Sequence, residues 1–284
     1  MMNRLEELGL PDLPESLPAA CIDAHTHMDA VSQMSSLSVE DNLAAAHAVN
    51  ITRVVQIGCD LEDSIFAEQC AAAHSQVIAA VALHPNTAAR LSDDHYEKHL
   101  DAIASLAQKG GHVRAIGETG LDRFRTRDED QIVRQKDSFR RHIDMAHHYN
   151  LTLAIHDRDA HDEVIEILDE VGWPSRVIFH CFSGDIDFAK ICLDHGAYLS
   201  FAGNVTYRAN HHLQQAACYA PADRILTETD APYLTPLPYR GRPNASYLMA
   251  HTVRFLNEIR HSDLEELCVQ LSHNAEAAYG GSWG

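Results

Sequence analysis

The stretch Ala19-Ala20-Cys21-Ile22-Asp23-Ala24-His25-Thr26-His27 joins a short apolar run to two histidines that stand two residues apart. In an extended segment, residues two apart point to the same side. His25 and His27 can therefore project together from the end of a first strand and bind one divalent cation. Because the chain contains 20 His, a chance pairing is the alternative. The residues that follow the other strands decide between the two interpretations.

Short apolar and β-branched runs alternate with longer helical patterns along the chain. Most of the short runs are almost continuously apolar, which is typical of parallel strands covered on both faces. We predict eight strands, at 20–23, 53–57, 77–83, 113–116, 152–155, 176–179, 197–201 and 224–227. Helices are predicted at 38–50, 62–75, 95–109, 130–149, 160–171, 185–195, 207–219, 246–260, 263–271 and 273–279.

Eight β/α units in 284 residues predict an α/β fold of the TIM type, a (β/α)₈ barrel. An open doubly wound sheet is the alternative architecture. We find no interdomain linker or internal repeat, so residues 1–284 are predicted to form one hydrolase barrel domain. The Gly-rich tail at 280–284 is expected to be loose.

Composition limits the class of partner and the compartment. The formal charge is −19, from 41 acidic and 22 basic residues, which argues against wholesale electrostatic capture of nucleic acid or an anionic membrane. Seven Cys without a C-x-x-C pair indicate a reducing, cytoplasmic compartment. The acidic segment 1–18 is not expected to be a signal peptide, and no apolar run approaches the length of a membrane span.

Potential ligands follow six of the eight predicted strands. Active-site residues of a TIM-type barrel lie at the carboxyl ends of its strands, so these side chains are predicted to meet at one mouth. They are His25 and His27 after the first strand, His84 after the third, Glu118 after the fourth, His156 after the fifth, His180 after the sixth and Asp230 after the eighth. Histidines of the predicted helices and loops, such as His47 and His74, are interpreted as solvated or structural.

Four imidazoles and two carboxylates suit two divalent ions. We assign the first ion to His25, His27, Asp230 and Glu118, and the second to Glu118, His156 and His180. Glu118 is predicted to bridge, because a carboxylate has two oxygens. The mixed nitrogen and oxygen ligands are compatible with Zn²⁺, Mn²⁺, Co²⁺ and Mg²⁺. No Cys thiolate is expected among the ligands, and strand alternation should point Cys181 away from the neighbouring His180.

Together these motifs resemble the TatD family of metal-dependent deoxyribonucleases, within the amidohydrolase superfamily. The resemblance covers nearly the whole chain and rests on stretches 23–27, 84–85, 117–122, 156–158, 180–184, 228–234, 240–244 and 274–280. Two loops depart from the family pattern. Residues 123–127 read Arg-Phe-Arg-Thr-Arg in place of an opening aromatic, and Ala245-Ser246 replaces the usual Glu-Pro. Both departures bear on substrate preference and leave the metal site intact.

The resemblance implies hydrolysis of phosphodiester bonds in DNA, with trimming from the 3′ end. Asp230 is then the candidate to accept a proton from a metal-activated water. His84, Arg158 and Arg123 are candidates to neutralise the phosphate oxygens. Beyond the seventh strand, Asn204, Tyr207 and Arg208 are candidates to line the substrate groove. DNA, with RNA as the alternative, is expected to bind weakly and in a metal-dependent manner to a monomer.

Two other classes of protein are alternatives to a nuclease. An amidohydrolase-type deacylase or esterase would use the same binuclear site on an acyl bond, but many such relatives bridge their ions with a carbamylated Lys, and Glu118 stands in that place here. A binding module with a relict site is a further alternative, against which the retained Asp230 argues.

An alternative role for Arg158 is to pair only with Asp122 or Asp157. Asp23 is predicted to orient a ligand His without binding metal itself.

Overall fold

The computed structural model describes residues 2–284, and its eight parallel strands pair in sequence order to form a barrel. The strands are β1 (Cys21–Thr26), β2 (Ile51–Ile57), β3 (Val77–Val81), β4 (Val113–Asp122), β5 (Thr152–Arg158), β6 (Val177–Phe179), β7 (Tyr198–Phe201) and β8 (Ile225–Thr227). A bridge between Thr26 and Ala231 links the two outer edges, so the sheet is nearly closed. The predicted TIM-type (β/α)₈ barrel is confirmed, and an open doubly wound sheet does not describe this order.

Helices follow the strands and cover the outside of the barrel. They are α1 (Met2–Glu7), α2 (Met28–Ser35), α3 (Val39–Ala48), α4 (Leu61–Ala73), α5 (Pro85–Ala88), α6 (Asp93–Ala107), α7 (Glu129–Tyr149), α8 (His161–Val171), α9 (Ile186–Asp194), α10 (His211–Tyr219), α11 (Met249–Arg260) and α12 (Leu264–Ala278). The predicted capped start at Ser38 is confirmed, because its side chain accepts a hydrogen bond from Asp41 N. Within residues 2–284, none of these helices combines the length and the apolar character needed to cross a membrane.

The apolar residues form two layers, as expected when strands are buried on both faces. One cluster fills the inside of the barrel and includes Ile22, Val55, Ile78, Ala115 and Leu226, each from a different strand. A larger cluster packs between the strands and the surrounding helices. The spacing of apolar residues on α7 predicts a buried stripe, and the structure buries each of its members, Ile132, Phe139, Ile143 and Ala146.

Strands β4 and β5 extend beyond their predicted ends. They remain paired through Gly120 with His156 and through Asp122 with Arg158. Gly120 has φ 139°, and a Cβ built there would lie 2.1 Å from His156 O, so glycine permits this close pairing. The consequence is that the ligand candidates of these two strands lie within strands and not in loops: His156 is paired with Gly120, and Glu118 lies where the register shifts between Ile116 and Thr119.

Two predictions for the carboxyl-terminal segment are wrong. The predicted helices 263–271 and 273–279 form one continuous helix, α12, which Asp263 and Tyr279 cap. Ser272, between the two predicted helices, is helical and donates a hydrogen bond from Oγ to Ala20 O at 2.6 Å. The tail is packed and not loose. Trp283 Nε1 donates to Gln76 O at 3.1 Å, and Arg53 Nη1 donates to Trp283 O at 3.1 Å. These contacts anchor the tail at the amino-terminal end of the barrel.

Candidate metal centre

The six predicted ligands gather at the carboxyl ends of the strands. They are His25 in β1, His27 just after it, Glu118 in β4, His156 in β5, His180 after β6 and Asp230 after β8. Backbone bonds connect the first and last strands at this point, since Asp230 N donates to His25 O at 2.9 Å and His27 N donates to Ala231 O at 2.9 Å. Residues distant in sequence are therefore held together by the closure of the barrel.

The first predicted ligand set has the spacing of a metal coordination shell. His25 Nε2 lies 3.3 Å from His27 Nε2. Asp230 Oδ1 lies 3.8 Å from His25 Nε2 and 3.4 Å from His27 Nε2, and Glu118 Oε1 lies 3.8 and 3.5 Å from the same two nitrogens. Ligands about 2.0–2.2 Å from a tetrahedral ion lie about 3.3–3.6 Å from one another. The residues present therefore fit a divalent ion.

The second carboxylate oxygen of Glu118 faces a different pair of histidines. Glu118 Oε2 lies 3.1 Å from His156 Nδ1 and 3.1 Å from His180 Nε2. The two oxygens of one carboxylate thus face different histidines, as those of a bridging ligand would. Ligand atoms that all lie within 4.8 Å of one another group His180 with His25 and Glu118, and group His156 with His84 and Asp122.

Hydrogen bonds behind the rings fix which nitrogen faces the cluster. His27 Nδ1 donates to Ile57 O at 3.3 Å, and His180 Nδ1 donates to Glu228 Oε1 at 2.9 Å. In both rings Nε2 is left to face the carboxylates, as in metal sites whose histidines bond to a second layer of acceptors. No role was predicted for Glu228, although it directly follows β8. Its two oxygens also accept bonds from Cys181 N at 2.7 Å and Ser200 Oγ at 2.5 Å.

The cluster is short of positive charge. Burial opposes protonation of His27, yet its contact with Asp230 and the charge of Glu118 raise its pKa to about 9. Burial likewise opposes protonation of His180, but Glu228 and Glu118 raise its pKa well above the usual value. A cation held by the ring nitrogens that face these carboxylates, such as His25 Nε2 and His27 Nε2, would neutralise the buried negative charge without protonating either ring.

Asp23 holds the segment before Asp230 and does not orient an imidazole. Its two carboxylate oxygens accept bonds from Thr229 N at 2.9 Å and from Thr229 Oγ1 at 2.7 Å. Asp230 itself has φ 51°, in the left-handed region where a residue with a Cβ is strained. The buried Asp23 carboxylate keeps this turn in place.

His84 lies beside the cluster as a neutral side chain. Its Nδ1 accepts a hydrogen bond from Asn86 N at 3.1 Å, so Nε2 carries the proton. Burial, and next the neighbouring charge of His156, lower the pKa of His84 to about 3. The centres of the two rings are 4.5 Å apart. His84 is therefore suited to donate a hydrogen bond at the mouth and not to supply a positive charge.

Arg158 has a free guanidinium, unlike Arg123. The Arg158 guanidinium stacks on the Phe124 ring, 4.0 Å from its centre. The carboxylates that were its alternative partners are engaged elsewhere: Asp157 Oδ2 bonds to His161 at 2.7 Å, and Asp122 accepts bonds from Asn86 Nδ2 and Arg125 N, each at 2.8 Å. By contrast, the structure does not bring Arg123 to the cluster. Its Nε and Nη2 donate to Glu163 at 2.7 and 2.8 Å, and its Nη1 donates to Glu129 at 2.6 Å.

The expectation that no Cys lies among the candidate ligands is wrong. Cys59, two residues beyond β2, places Sγ 3.2 Å from Glu118 Oε1 and 3.8 Å from His27 Nδ1. The rule that singles out strand ends would have found it, had the second strand been included. Cys181 does point elsewhere, since its Sγ accepts a bond from Asn204 Nδ2 at 3.8 Å.

A parallel eight-stranded barrel whose strand ends carry this set of imidazoles and carboxylates has the architecture of a metal-dependent hydrolase. The sequence model of the family described as TatD related DNase matches residues 22–280. The chain therefore belongs to this TatD family of metal-dependent hydrolases. It is 38% identical over 267 residues to the uncharacterised metal-dependent hydrolase TatD of Mycobacterium tuberculosis, covering 92% of this chain and 98% of that protein. It is 32% identical over 255 residues to the uncharacterised metal-dependent hydrolase YcfH of Escherichia coli, covering 89% and 93% of the two chains.

Solved structures agree with the fold. The crystal structure of YjjV, a TatD homologue from Escherichia coli, superposes with a TM-score of 0.82 at 24% identity, over 92% of this chain and 98% of that one. A TatD family hydrolase from Entamoeba histolytica superposes with a TM-score of 0.78 at 19% identity, over 94% of this chain and 100% of that one. At these identities the superpositions support the barrel itself.

Proposed function

We propose that this protein is a deoxyribonuclease that uses two divalent ions to hydrolyse phosphodiester bonds, trimming DNA from its 3′ end. The observation that carries the proposal is the division of the Glu118 carboxylate between His25 and His27 on one side and His156 and His180 on the other. Paired ions that share a ligand are typical of enzymes that cleave phosphate esters. The family description, TatD related DNase, points to the same chemistry.

The identity of the bridging group favours a phosphate ester over an acyl bond. A carboxylate, Glu118, stands between the two ligand sets. The lysines of the chain, Lys98, Lys109, Lys136 and Lys190, lie on helices or directly after one. A carbamylated Lys bridge, which the acyl-cleaving alternative predicts, therefore has no candidate residue at the mouth.

The chain's own residues supply the remaining parts of the reaction. When bound, divalent ions would acidify a water molecule and polarise a phosphoryl oxygen. Asp230 directs Oδ1 at the two histidines, 3.4 Å from the nearer Nε2, which leaves Oδ2 to accept the proton of the attacking water. His84 would donate a hydrogen bond from Nε2 to a non-bridging oxygen, and Arg158 would contribute a positive charge beside it.

Exposed aromatic rings around the mouth suit unpaired bases. Phe124, which follows β4, is 49% exposed, and Tyr233, in the turn after Asp230, is 51% exposed. Flat, accessible rings next to arginines are the usual platform for single-stranded nucleic acid. A cavity of about 560 Å³ lies between the loops after β7 and β8, lined by Tyr207, Arg208, Ala209, Leu237, Pro238 and Arg240. These local features offset the overall charge of −19, so we expect weak binding that prefers frayed or single-stranded ends.

A cleavage assay with end-labelled oligonucleotides tests the proposal. Single- and double-stranded DNA carrying a 5′ label are incubated with the enzyme, then with chelator, then with Mg²⁺, Mn²⁺, Co²⁺ or Zn²⁺ added back. We expect a ladder of products shortened from the 3′ end, its loss with chelator, its return with metal and its absence in Asp230→Asn. Turnover of acyl esters or amides by a metal-loaded enzyme that leaves every oligonucleotide intact would replace the proposal with the deacylase or esterase alternative.

A further inference from the structure

Cys59 stands at the carboxyl end of β2, the position from which a barrel strand delivers residues to the mouth. Its thiol donates a hydrogen bond to Glu118 Oε1 at 3.2 Å. The ligand atoms of Cys59, His27 and Glu118 all lie within 4.8 Å of one another. Cys59 is thus not an isolated thiol, because its hydrogen-bond partner, Glu118 Oε1, is also a predicted ligand of the first ion. Its sulfur lies beside the edge of the His27 ring, 3.8 Å from Nδ1.

The backbone around Cys59 is fixed on both sides. Gly58 N donates to Ala80 O at 3.0 Å, and Cys59 O accepts a bond from His84 N at 2.8 Å. A Cβ built on Gly58 would lie 2.6 Å from Ser64 Cα, so the chain is pressed against helix α4 immediately before the cysteine. The packing of the backbone therefore fixes the position of the thiol beside Glu118.

We propose that Cys59 is a further ligand of the first ion, beside His25, His27, Asp230 and Glu118 Oε1. On binding, the S–H bond breaks, the proton passes to solvent and the thiolate sulfur bonds to the ion. The inference rests on the metal centre invoked in the proposed function and adds a soft ligand to it. Thiolates favour Zn²⁺ and Co²⁺ over Mg²⁺ and Mn²⁺, so Cys59 would bias the first position toward thiophilic ions.

The competing role for Cys59 is purely a hydrogen bond that orients the bridging carboxylate. Serine distinguishes the two roles, because a hydroxyl retains the donor to Glu118 Oε1 but does not replace a thiolate as a soft ligand. Cys181 supplies the matched control. It is also half-buried and neighbours a candidate ligand, His180, but its sulfur faces Asn204.

The test loads the wild type, Cys59→Ser and Cys181→Ser with Co²⁺ and records the near-ultraviolet charge-transfer band of a cobalt–thiolate bond together with the visible ligand-field bands. We expect the charge-transfer band in the wild type and in Cys181→Ser. Cys59→Ser should lose it, keep ligand-field absorption and bind Zn²⁺ at least about tenfold more weakly, while its Mn²⁺ affinity changes little.

A wild type that shows ligand-field bands without the charge-transfer band, or a Cys59→Ser variant that keeps that band, would overturn the assignment. A wild type that binds no Co²⁺ would overturn both this assignment and the metal centre. A wild type with the charge-transfer band that cleaves no DNA would leave Cys59 a ligand and reject the deoxyribonuclease proposal alone.

Discussion

Glu228 Oε1 accepts a hydrogen bond from His180 Nδ1 at 2.9 Å, and this bond turns the opposite nitrogen of the ring toward Glu118. Both side chains are almost completely buried, so water does not compete for the contact. A carboxylate behind a metal-binding imidazole fixes the tautomer and increases the basicity of the coordinating nitrogen. We therefore assign Glu228 to the support of the second ion position that we propose, and not to direct ligation.

Glu228→Gln is predicted to weaken the second ion position selectively. Glutamine can still accept the bond from His180 but lacks the charge, so we expect the affinity for one of two ions to fall about 10- to 100-fold. Calorimetric titration with metal measures both binding steps. The matched control is Glu276→Gln, which alters a carboxylate paired with Arg53 at the other end of the barrel. Equal effects of the two substitutions would contradict the assigned role.

Arg158→Ala is predicted to weaken DNA processing, whereas Arg123→Ala is not. Loss of a charge-assisted contact to phosphate should lower kcat/KM by about tenfold and reduce the salt dependence on single-stranded DNA by about 0.7 log units per log unit of salt. Arg123 is bonded to Glu163 and Glu129, so its removal should affect stability more than kcat/KM. Steady-state rates at several salt concentrations separate the two. The distinction fails if both variants lose the same factor.

His84→Ala is predicted to lower turnover without releasing metal. Its protonated Nε2 is assigned to a phosphoryl oxygen, and removal of such a donor costs about 10²–10³ in kcat. Metal content and single-turnover rates are measured on the same preparation, with His47→Ala, an exposed change on α3, as control. Loss of an ion together with activity would instead make His84 a ligand.

His142 is predicted to contribute to acid sensitivity of the fold, away from the metal centre. It is fully buried, its Nε2 accepts a bond from Leu83 N at 3.1 Å, and its Nδ1 donates to Ser138 O at 2.7 Å. Burial lowers its pKa from 6.5 to about 4. Between pH 6.5 and about pH 4, His142 is therefore protonated in the unfolded chain but neutral in the folded chain. The stability that the neutral His142 contributes above pH 6.5 is consequently lost as the pH falls toward 4.

The size of the His142 contribution can be measured by comparing the free energies of unfolding of two proteins at two pH values. A shift from 6.5 to about 4 corresponds to roughly 3 kcal/mol. We expect the difference in free energy of unfolding between the wild type and His142→Gln to shrink by about that amount between pH 7 and pH 4. Denaturant unfolding at both pH values provides it. A difference that does not depend on pH would show that His142 becomes protonated as readily in the fold as in the unfolded chain.

The sequence predicts the barrel and the principal site residues because both follow from one regularity. Apolar runs mark the strands, and polar residues at their carboxyl ends must meet when the strands close in parallel. The proximity of His25 to Asp230 follows from that closure. Next to them, Thr229 Oγ1 donates a hydrogen bond to His25 O, although these two residues are 204 positions apart in the sequence. No local pattern conveys this contact on its own.

Features that depend on contacts between residues distant in sequence cannot be predicted in this way. Two carboxylates, Glu228 and Asp230, follow β8, and only the packed structure distinguishes the one behind His180 from the one facing His27. The Gly-rich tail has the composition of a loose end, yet Trp283 finds Gln76 and Arg53 across the chain. The Gly-rich composition predicts a mobile tail, and these two contacts with distant residues order it instead.

Metal content of Glu118→Ala tests the central claim, that one carboxylate joins two ions. Wild type, Glu118→Ala and the control Glu276→Ala are loaded with Zn²⁺ or Mn²⁺, desalted and analysed for metal per chain. The wild type and the control are predicted to retain two ions per chain, and Glu118→Ala at most one, because both ligand sets lose an oxygen at this position. Two retained ions in a folded Glu118→Ala variant would contradict the bridge.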